Sequence, residues 1–277
     1  VDQVVIGNGS CDLILLAGQA LLDPGTTVIY ADPSFSLYPH LASASGAEAI
    51  EVPLTVDGAH DLETMAAHVD ERTRLIVICN PNNPTGVFMP PERIETMLAS
   101  IPADVAVLVD EAYFDFVSRP DAGRVMSLAR EAPNLLVTRT FSKAHGLCGL
   151  RVGYGVGNAD WIAALDAVRQ PFNTNAIAQA AALESLNHPA EFAERTRTVI
   201  SERSRVAAAV AKLGIESLPS EANFIQISAP PDWHERLLRR GVIVRDGRAV
   251  GAPGTLRVSI GLPEENDAFL EALESIA

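Results

Sequence analysis

Apolar residues along this chain fall into short runs that alternate with stretches of helical periodicity. Residues 27–30, 49–52, 75–79, 105–109, 135–139 and 152–155 predict strands, and residues 12–22, 35–45, 61–68, 91–100 and 124–130 predict helices between them. The runs Leu75-Ile76-Val77-Ile78-Cys79 and Val105-Ala106-Val107-Leu108-Val109 have no polar position, so both faces of these strands need a cover of helices. The alternation is that of an α/β domain with a mostly parallel sheet in three αβα layers.

Past residue 156 the pattern changes to long alanine-rich helix, at 161–168, 176–186 and 191–213. Beyond it, 223–227, 242–245 and 255–260 predict strands, with helices at 232–240 and 263–276, a smaller C-terminal α+β unit. The expected division runs through the long helix, giving a large domain of residues 1–205 and a small one of 206–277.

The remaining composition narrows the partners. Thirty-five acidic residues against 21 basic give a net charge of -14, which leaves no basic surface to track a nucleic-acid backbone. No apolar stretch approaches the roughly 20 residues that cross a bilayer. The three cysteines, Cys11, Cys79 and Cys148, are widely spaced and form no CxxC pair, which predicts a reducing, cytoplasmic setting and no metal site. The chain opens at Val1 without a signal-peptide pattern and runs directly into Gly7-Asn8-Gly9-Ser10, the mark of a fragment or of an unusually short front end.

In an open parallel sheet the ligand lies beyond the carboxyl ends of the strands. Three polar clusters follow predicted strands there. Asn80-Pro81-Asn82-Asn83-Pro84-Thr85-Gly86 is either a turn-rich loop or a rigid mount for a side-chain amide. In Asp110-Glu111-Ala112-Tyr113, Asp110 leaves a buried strand as a helix cap or as the counter-charge of a protonated heterocyclic nitrogen, and the Tyr113 phenol is within reach of an oxygen on the same ring. Thr140-Phe141-Ser142-Lys143 carries one of only two lysines, the other being Lys212, and an amine in such a place can capture a carbonyl. Ser142 and Arg151 offer the hydroxyl and guanidinium that a phosphate needs. The fourth cluster, Gly7-Asn8-Gly9-Ser10, precedes a helix and suits either an anion or an ordinary N-cap. Neither a Walker pattern nor a dinucleotide fingerprint is present. One ligand combines a phosphate, a ring nitrogen, a ring hydroxyl and a capturable carbonyl: pyridoxal 5'-phosphate.

With these motifs in this order, joined by Gly149-Leu150-Arg151-Val152-Gly153 and Leu256-Arg257-Val258-Ser259, the whole chain resembles the fold type I pyridoxal-phosphate aminotransferases, and among them the histidinol-phosphate aminotransferases. The resemblance implies that Lys143 binds the cofactor covalently, Asp110 pairs with the ring nitrogen, and Asn83 and Tyr113 hydrogen-bond the ring oxygen. It implies that Ser10, the backbone at Cys11, Ser142 and Arg151 hold the phosphate and that Phe35 stacks on the ring. Arg257 would clamp a carboxylate or help bind a substrate phosphate. Arg245 matches a second basic position for that phosphate, or else forms a surface salt bridge with Asp246 or Asp232. Asn175 stands near the cofactor or simply caps a helix. The implied reaction moves an amino group from histidinol phosphate to a 2-oxo acid, in histidine biosynthesis and in a homodimer. Open alternatives are an aromatic or broad-range aminotransferase, a decarboxylase or lyase on the same cofactor, and the ligand-sensing domain of a regulator. The chain departs from the family in having Cys11-Asp12 where two acids are usual, and in lacking the family's N-terminal arm, which gates the substrate.

Overall fold

The computed structural model describes residues 2–277. Seven strands form one twisted sheet: β1 (Val4–Gly7), β2 (Thr27–Asp32), β3 (Glu48–Pro53), β4 (Thr73–Cys79), β5 (Ala106–Asp110), β6 (Leu135–Thr140) and β7 (Gly153–Gly157), in the order β1-β7-β6-β5-β4-β2-β3. Neighbours from β3 through β6 run parallel, and β7 lies antiparallel between β6 and β1.

Period-2 alternation sends the odd and even residues of each central strand into separate cores. Val28, Tyr30, Leu75, Val77, Ala106 and Leu108 pack under helices α1 (Ser10–Leu21), α2 (Tyr38–Ser45) and α6 (Ala159–Val168). Ile29, Ile76, Ile78, Val107 and Val109 pack under α3 (Leu62–Ala67), α4 (Pro91–Ser100) and α5 (Arg124–Leu128). This is the three-layer arrangement that the wholly apolar strands require.

After α7 (Ala176–Leu186), the 24-residue helix α8 (Pro189–Lys212) serves two cores. Phe192 and Val199 pack with Tyr113, Phe116 and Phe224, whereas Val206 and Val210 belong to a third core. That core is closed by β8 (Phe224–Ser228), α9 (Trp233–Leu238), β10 (Thr255–Ser259) and α10 (Pro263–Glu274). A short strand, β9 (Arg245–Asp246), completes the small antiparallel sheet in the order β8-β10-β9. Arg203 of α8, buried, donates to Phe116 O and Ala222 O, both at 2.9 Å, and pairs with Glu221 at 2.8 Å, pinning the helix to both neighbours.

Three local expectations are corrected. Residues 242–244 are not a strand, because the Val242 amide donates back to Leu237 O at the end of α9 and only residues 245–246 pair with β10. The helix expected from residue 35 starts at Tyr38, after residues 35–37 turn toward the site. The first residues, read as loop, form the edge strand β1 before Gly9 and Ser10.

Candidate active site

The carboxyl ends of β2, β4, β5 and β6 and the amino end of α1 surround a cavity of about 150 Å³. Its wall contains all nine residues expected to hold a cofactor: Ser10, Cys11, Phe35, Asn83, Asp110, Tyr113, Ser142, Lys143 and Arg151. They converge because each follows a strand of one parallel sheet or opens the helix packed against it.

One end of the cavity is built for an anion. Ser10 is the first residue of α1, and the helix is capped by Gly9, without a side-chain hydrogen bond, rather than by Ser10 as an N-cap. The first amides of α1 and its dipole therefore face the cavity end. Gly9 has φ 84°, and a Cβ there would strike the Arg151 guanidinium, so only glycine lets the two approach. Arg151 itself has φ 62°; its Nη1 donates to Cys148 O at 2.8 Å and to Ser142 Oγ at 3.4 Å.

At the other end, Asp110 is buried at the last position of β5. Its Oδ2 accepts from the Tyr38 hydroxyl at 3.0 Å and its Oδ1 from the Ala112 amide at 3.2 Å. Burial raises its pKa to about 6, against the pull of these donors and of Lys143. Lys143 is open to the cavity mouth, its Nζ 5.3 Å from the centroid of the Tyr113 ring. The enclosing walls and then the Arg257 charge lower its pKa, with Asp110 opposing. Burial raises the pKa of the Tyr113 phenol, so the ring is a hydrogen-bond donor at neutral pH.

On the rim, Arg257 Nη1 donates to Asn83 Oδ1 at 2.6 Å, and its guanidinium lies 5.0 Å from the Phe224 ring, which meets Tyr113 edge-on at 5.1 Å. A guanidinium has no acceptor, so the Asn83 oxygen faces Arg257 and the amide nitrogen is left to donate elsewhere. Arg245 pairs with Arg257 across β9 and β10 but stands outside the cavity wall, exposed. The salt bridges expected for it go elsewhere, since Asp246 pairs with Arg248 and Asp232 with Arg236, and Arg245 makes no ion pair among the described residues. Asn175 caps α7 through the Ala178 amide at 2.8 Å and holds Leu150 O with its other end.

Several residues of this neighbourhood were not singled out as site residues from the sequence. Tyr38 reaches Asp110 from 72 positions away. Asn82 accepts from Ser34 Oγ and His60 and donates to Pro33 O and Thr85 Oγ1, fastening the loop that carries Phe35 to the loop that carries Asn83. Buried Glu111 and half-buried Arg139 pair at 2.7 Å, with the guanidinium over the Phe114 ring, tying the end of β5 to that of β6. A glutamate beside Asp110 and an arginine ending an apolar strand were the available hint.

An open, mostly parallel sheet with a lysine, a buried aspartate and an anion cradle at the carboxyl ends of its parallel strands defines a pyridoxal-phosphate enzyme of fold type I. Residues 1–273 match the family model for aminotransferase class I and II, and the chain belongs to that family and is an aminotransferase. It is 46% identical over 279 residues to histidinol-phosphate aminotransferase 2 of Ralstonia nicotianae, covering 98% of this chain and 74% of that one. The histidinol-phosphate aminotransferase of Sinorhizobium meliloti, solved with pyridoxal 5'-phosphate, superposes with a TM-score of 0.90 at 26% identity over 100% of this chain and 78% of that one. The L-threonine-O-3-phosphate decarboxylase of Porphyromonas gingivalis superposes with a TM-score of 0.84 at 25% identity, over 99% and 83%.

Proposed function

We propose that this chain transfers the amino group of L-histidinol phosphate to 2-oxoglutarate, yielding imidazole acetol phosphate and L-glutamate, and that it does so in the cytoplasm as a homodimer. The observation that carries the substrate is the pair Arg257 and Arg245, adjacent across two strands, with Arg245 exposed and without an acidic partner among the described residues. An unpaired arginine beside a site arginine, in a chain of net charge -14, suits a phosphate-bearing donor. The names of the relatives point the same way.

The residues present fit pyridoxal 5'-phosphate. The Gly9 cradle, which a Cβ would fill, with Ser10, the Cys11 backbone, Ser142 and Arg151, takes the phosphate. Asp110, a carboxylate too buried to ionise readily alone, takes the protonated ring nitrogen. Asn83 and Tyr113 would donate to the ring oxygen, and Phe35 would cover the ring. When bound, the cofactor supplies the carbonyl that captures the amino group and the ring that accepts an electron pair. Lys143 would hold the cofactor and, as a free amine, would serve as base at the carbon bearing the amino group; its lowered pKa leaves more of the neutral amine available. Asp110 holds the proton at the ring nitrogen, and Arg257 and Arg245 orient the acidic end of the substrate.

The division of labour follows the two sheets, with a cofactor-binding domain of residues 1–205 and a small domain of 206–277 meeting inside α8. Exposed Phe172, Ile177, Leu183 and Leu186 support a subunit contact on the α7 side. The three cysteines are all free thiols, in keeping with a reducing compartment.

The test loads the protein with pyridoxal phosphate and mixes it in turn with histidinol phosphate, phenylalanine, tyrosine, glutamate and alanine, following the visible absorbance of the bound cofactor. Histidinol phosphate is expected to react fastest among the biosynthetic donors. Arg245→Gln is expected to raise its half-saturation about tenfold and leave that of glutamate unchanged. Lys143→Ala is expected to abolish both the absorbance band and turnover. Preference for phenylalanine or tyrosine would replace the reading by an aromatic aminotransferase, release of carbon dioxide by a decarboxylase, and a formed band that no donor bleaches by a sensing domain.

A further inference from the structure

Tyr38 opens α2, is wholly buried and stands outside the cavity wall to which Asp110 belongs. Its hydroxyl donates to Asp110 Oδ2 at 3.0 Å, with the Cys79 thiol as a second neighbour. Its ring meets Phe35 edge-on at 5.8 Å and Tyr30 at 6.2 Å. A phenylalanine would fill the same space, and a buried hydroxyl is costly unless it is used. The proton of the hydroxyl goes to the Asp110 carboxylate, the one charged group beside it, while the Cys79 thiol is neutral.

Resting on the cofactor reading above, we infer that Tyr38 is a positioning residue for transamination. Its hydroxyl anchors the Asp110 carboxylate to α2, so that the carboxylate stays an anion turned toward the ring nitrogen. The Ala112 amide holds the other oxygen, at 3.2 Å. Between them the two donors fix the carboxylate plane, and the Phe35 contact makes the same tyrosine a backing for the ring that covers the cofactor. Loss of the hydroxyl leaves one oxygen without its donor, which favours the protonated acid and frees the carboxyl to turn.

The titratable groups around Asp110 are Lys143 from the loop after β6, Cys79 at the end of β4, Cys11 at the start of α1, and Glu111 and Tyr113 on its own segment. Burial raises the Cys79 thiol to about 12 and the Tyr113 phenol further still, so both are neutral at working pH. Removing the Tyr38 donor moves the titration of Asp110 upward, whatever these neighbours do.

The experiment is a double-mutant cycle on the holoenzyme with Tyr38→Phe and Asp110→Asn, using glutamate as donor so that the phosphate specificity plays no part. Tyr38→Phe is expected to lower kcat about tenfold with KM nearly unchanged, and to move the acid limb of the kcat–pH profile up by about one unit. It is also expected to weaken cofactor binding to the cofactor-free protein several-fold, measured by titration without turnover. In the Asp110→Asn background, adding Tyr38→Phe is expected to change kcat less than twofold, because the hydroxyl acts through the carboxylate. Independent, multiplying effects of the two changes, or an acid limb that stays in place, would overturn the inference. Absence of the cofactor band in the unmodified protein would instead remove the reading on which it rests.

Discussion

One acid-sensitive contribution to the stability of this protein comes from His60. It is buried, with Nε2 3.1 Å from Asn82 Oδ1, an oxygen that also accepts from Ser34 Oγ at 2.7 Å. That oxygen accepts only, so Nε2 carries the hydrogen, and Nδ1 has no partner. The ring is thus held neutral, and burial lowers its pKa from 6.5 to about 4. A histidine with a depressed folded-state pKa contributes stability that is present above pH 6.5 and is lost as the pH falls toward 4, because the unfolded chain takes up the proton first. At about pH 5 the loss relative to about pH 7.5 comes to about 2 kcal/mol. Asp110 and Glu111 act with the opposite sign, since burial raises them to about 6 and about 7, so the pH dependence of the unmodified protein mixes the three. The difference from His60→Gln, which keeps an N–H for Asn82 and cannot ionise, isolates the histidine. Urea unfolding followed by circular dichroism at the two pH values measures it. The gap between protein and variant should shift by about 2 kcal/mol in favour of the variant at the lower pH; parallel pH dependences would refute the reasoning.

Two further changes probe the frame around the site. Arg203→Met removes the donors to Phe116 O and Ala222 O and leaves Glu221 without its cation, so a destabilisation of about 3 kcal/mol is expected, seen as a lower Tm; an unchanged Tm would show that the pin is dispensable. Gly86→Ala places a Cβ against the Ser220 side chain at a residue with φ 78°, and about 2 kcal/mol or more should be lost in a denaturant titration. Wild-type stability in that variant would mean that the loop after β4 relaxes freely.

The sheet and the cavity wall were legible because they rest on local signals. Apolar runs such as 75–79 can only be buried strands, and polar residues directly after them must lie at one edge of the sheet. Failures came where a partner elsewhere decides the outcome. Residues 242–244 have the β-branched look of a strand, yet the end of α9 takes the Val242 amide and Ile243 is 83% exposed. Residues 4–7 looked like the approach to a loop and become a strand only because β7, far along the chain, pairs with them. Tyr38 and His60 were silent for the same reason, since a tyrosine in an apolar helix and a lone histidine read as core until Asp110 and Asn82 are seen beside them.

The pairing of β1 with β7 also sets a timetable. Strands β2 to β6 each find a parallel neighbour soon after synthesis, whereas Val5 waits for Gly155, roughly 150 residues and about 8 to 30 seconds later at ordinary rates of about 5–20 residues per second. Asn83, Asp110 and the lysine end of the site can therefore be in place while Ser10 and Arg151 are still apart. During that interval Val4, Val5 and Ile6 form an unpaired apolar segment open to wrong partners, and the end of the cavity with Ser10 and Arg151 is the last part of the site to close.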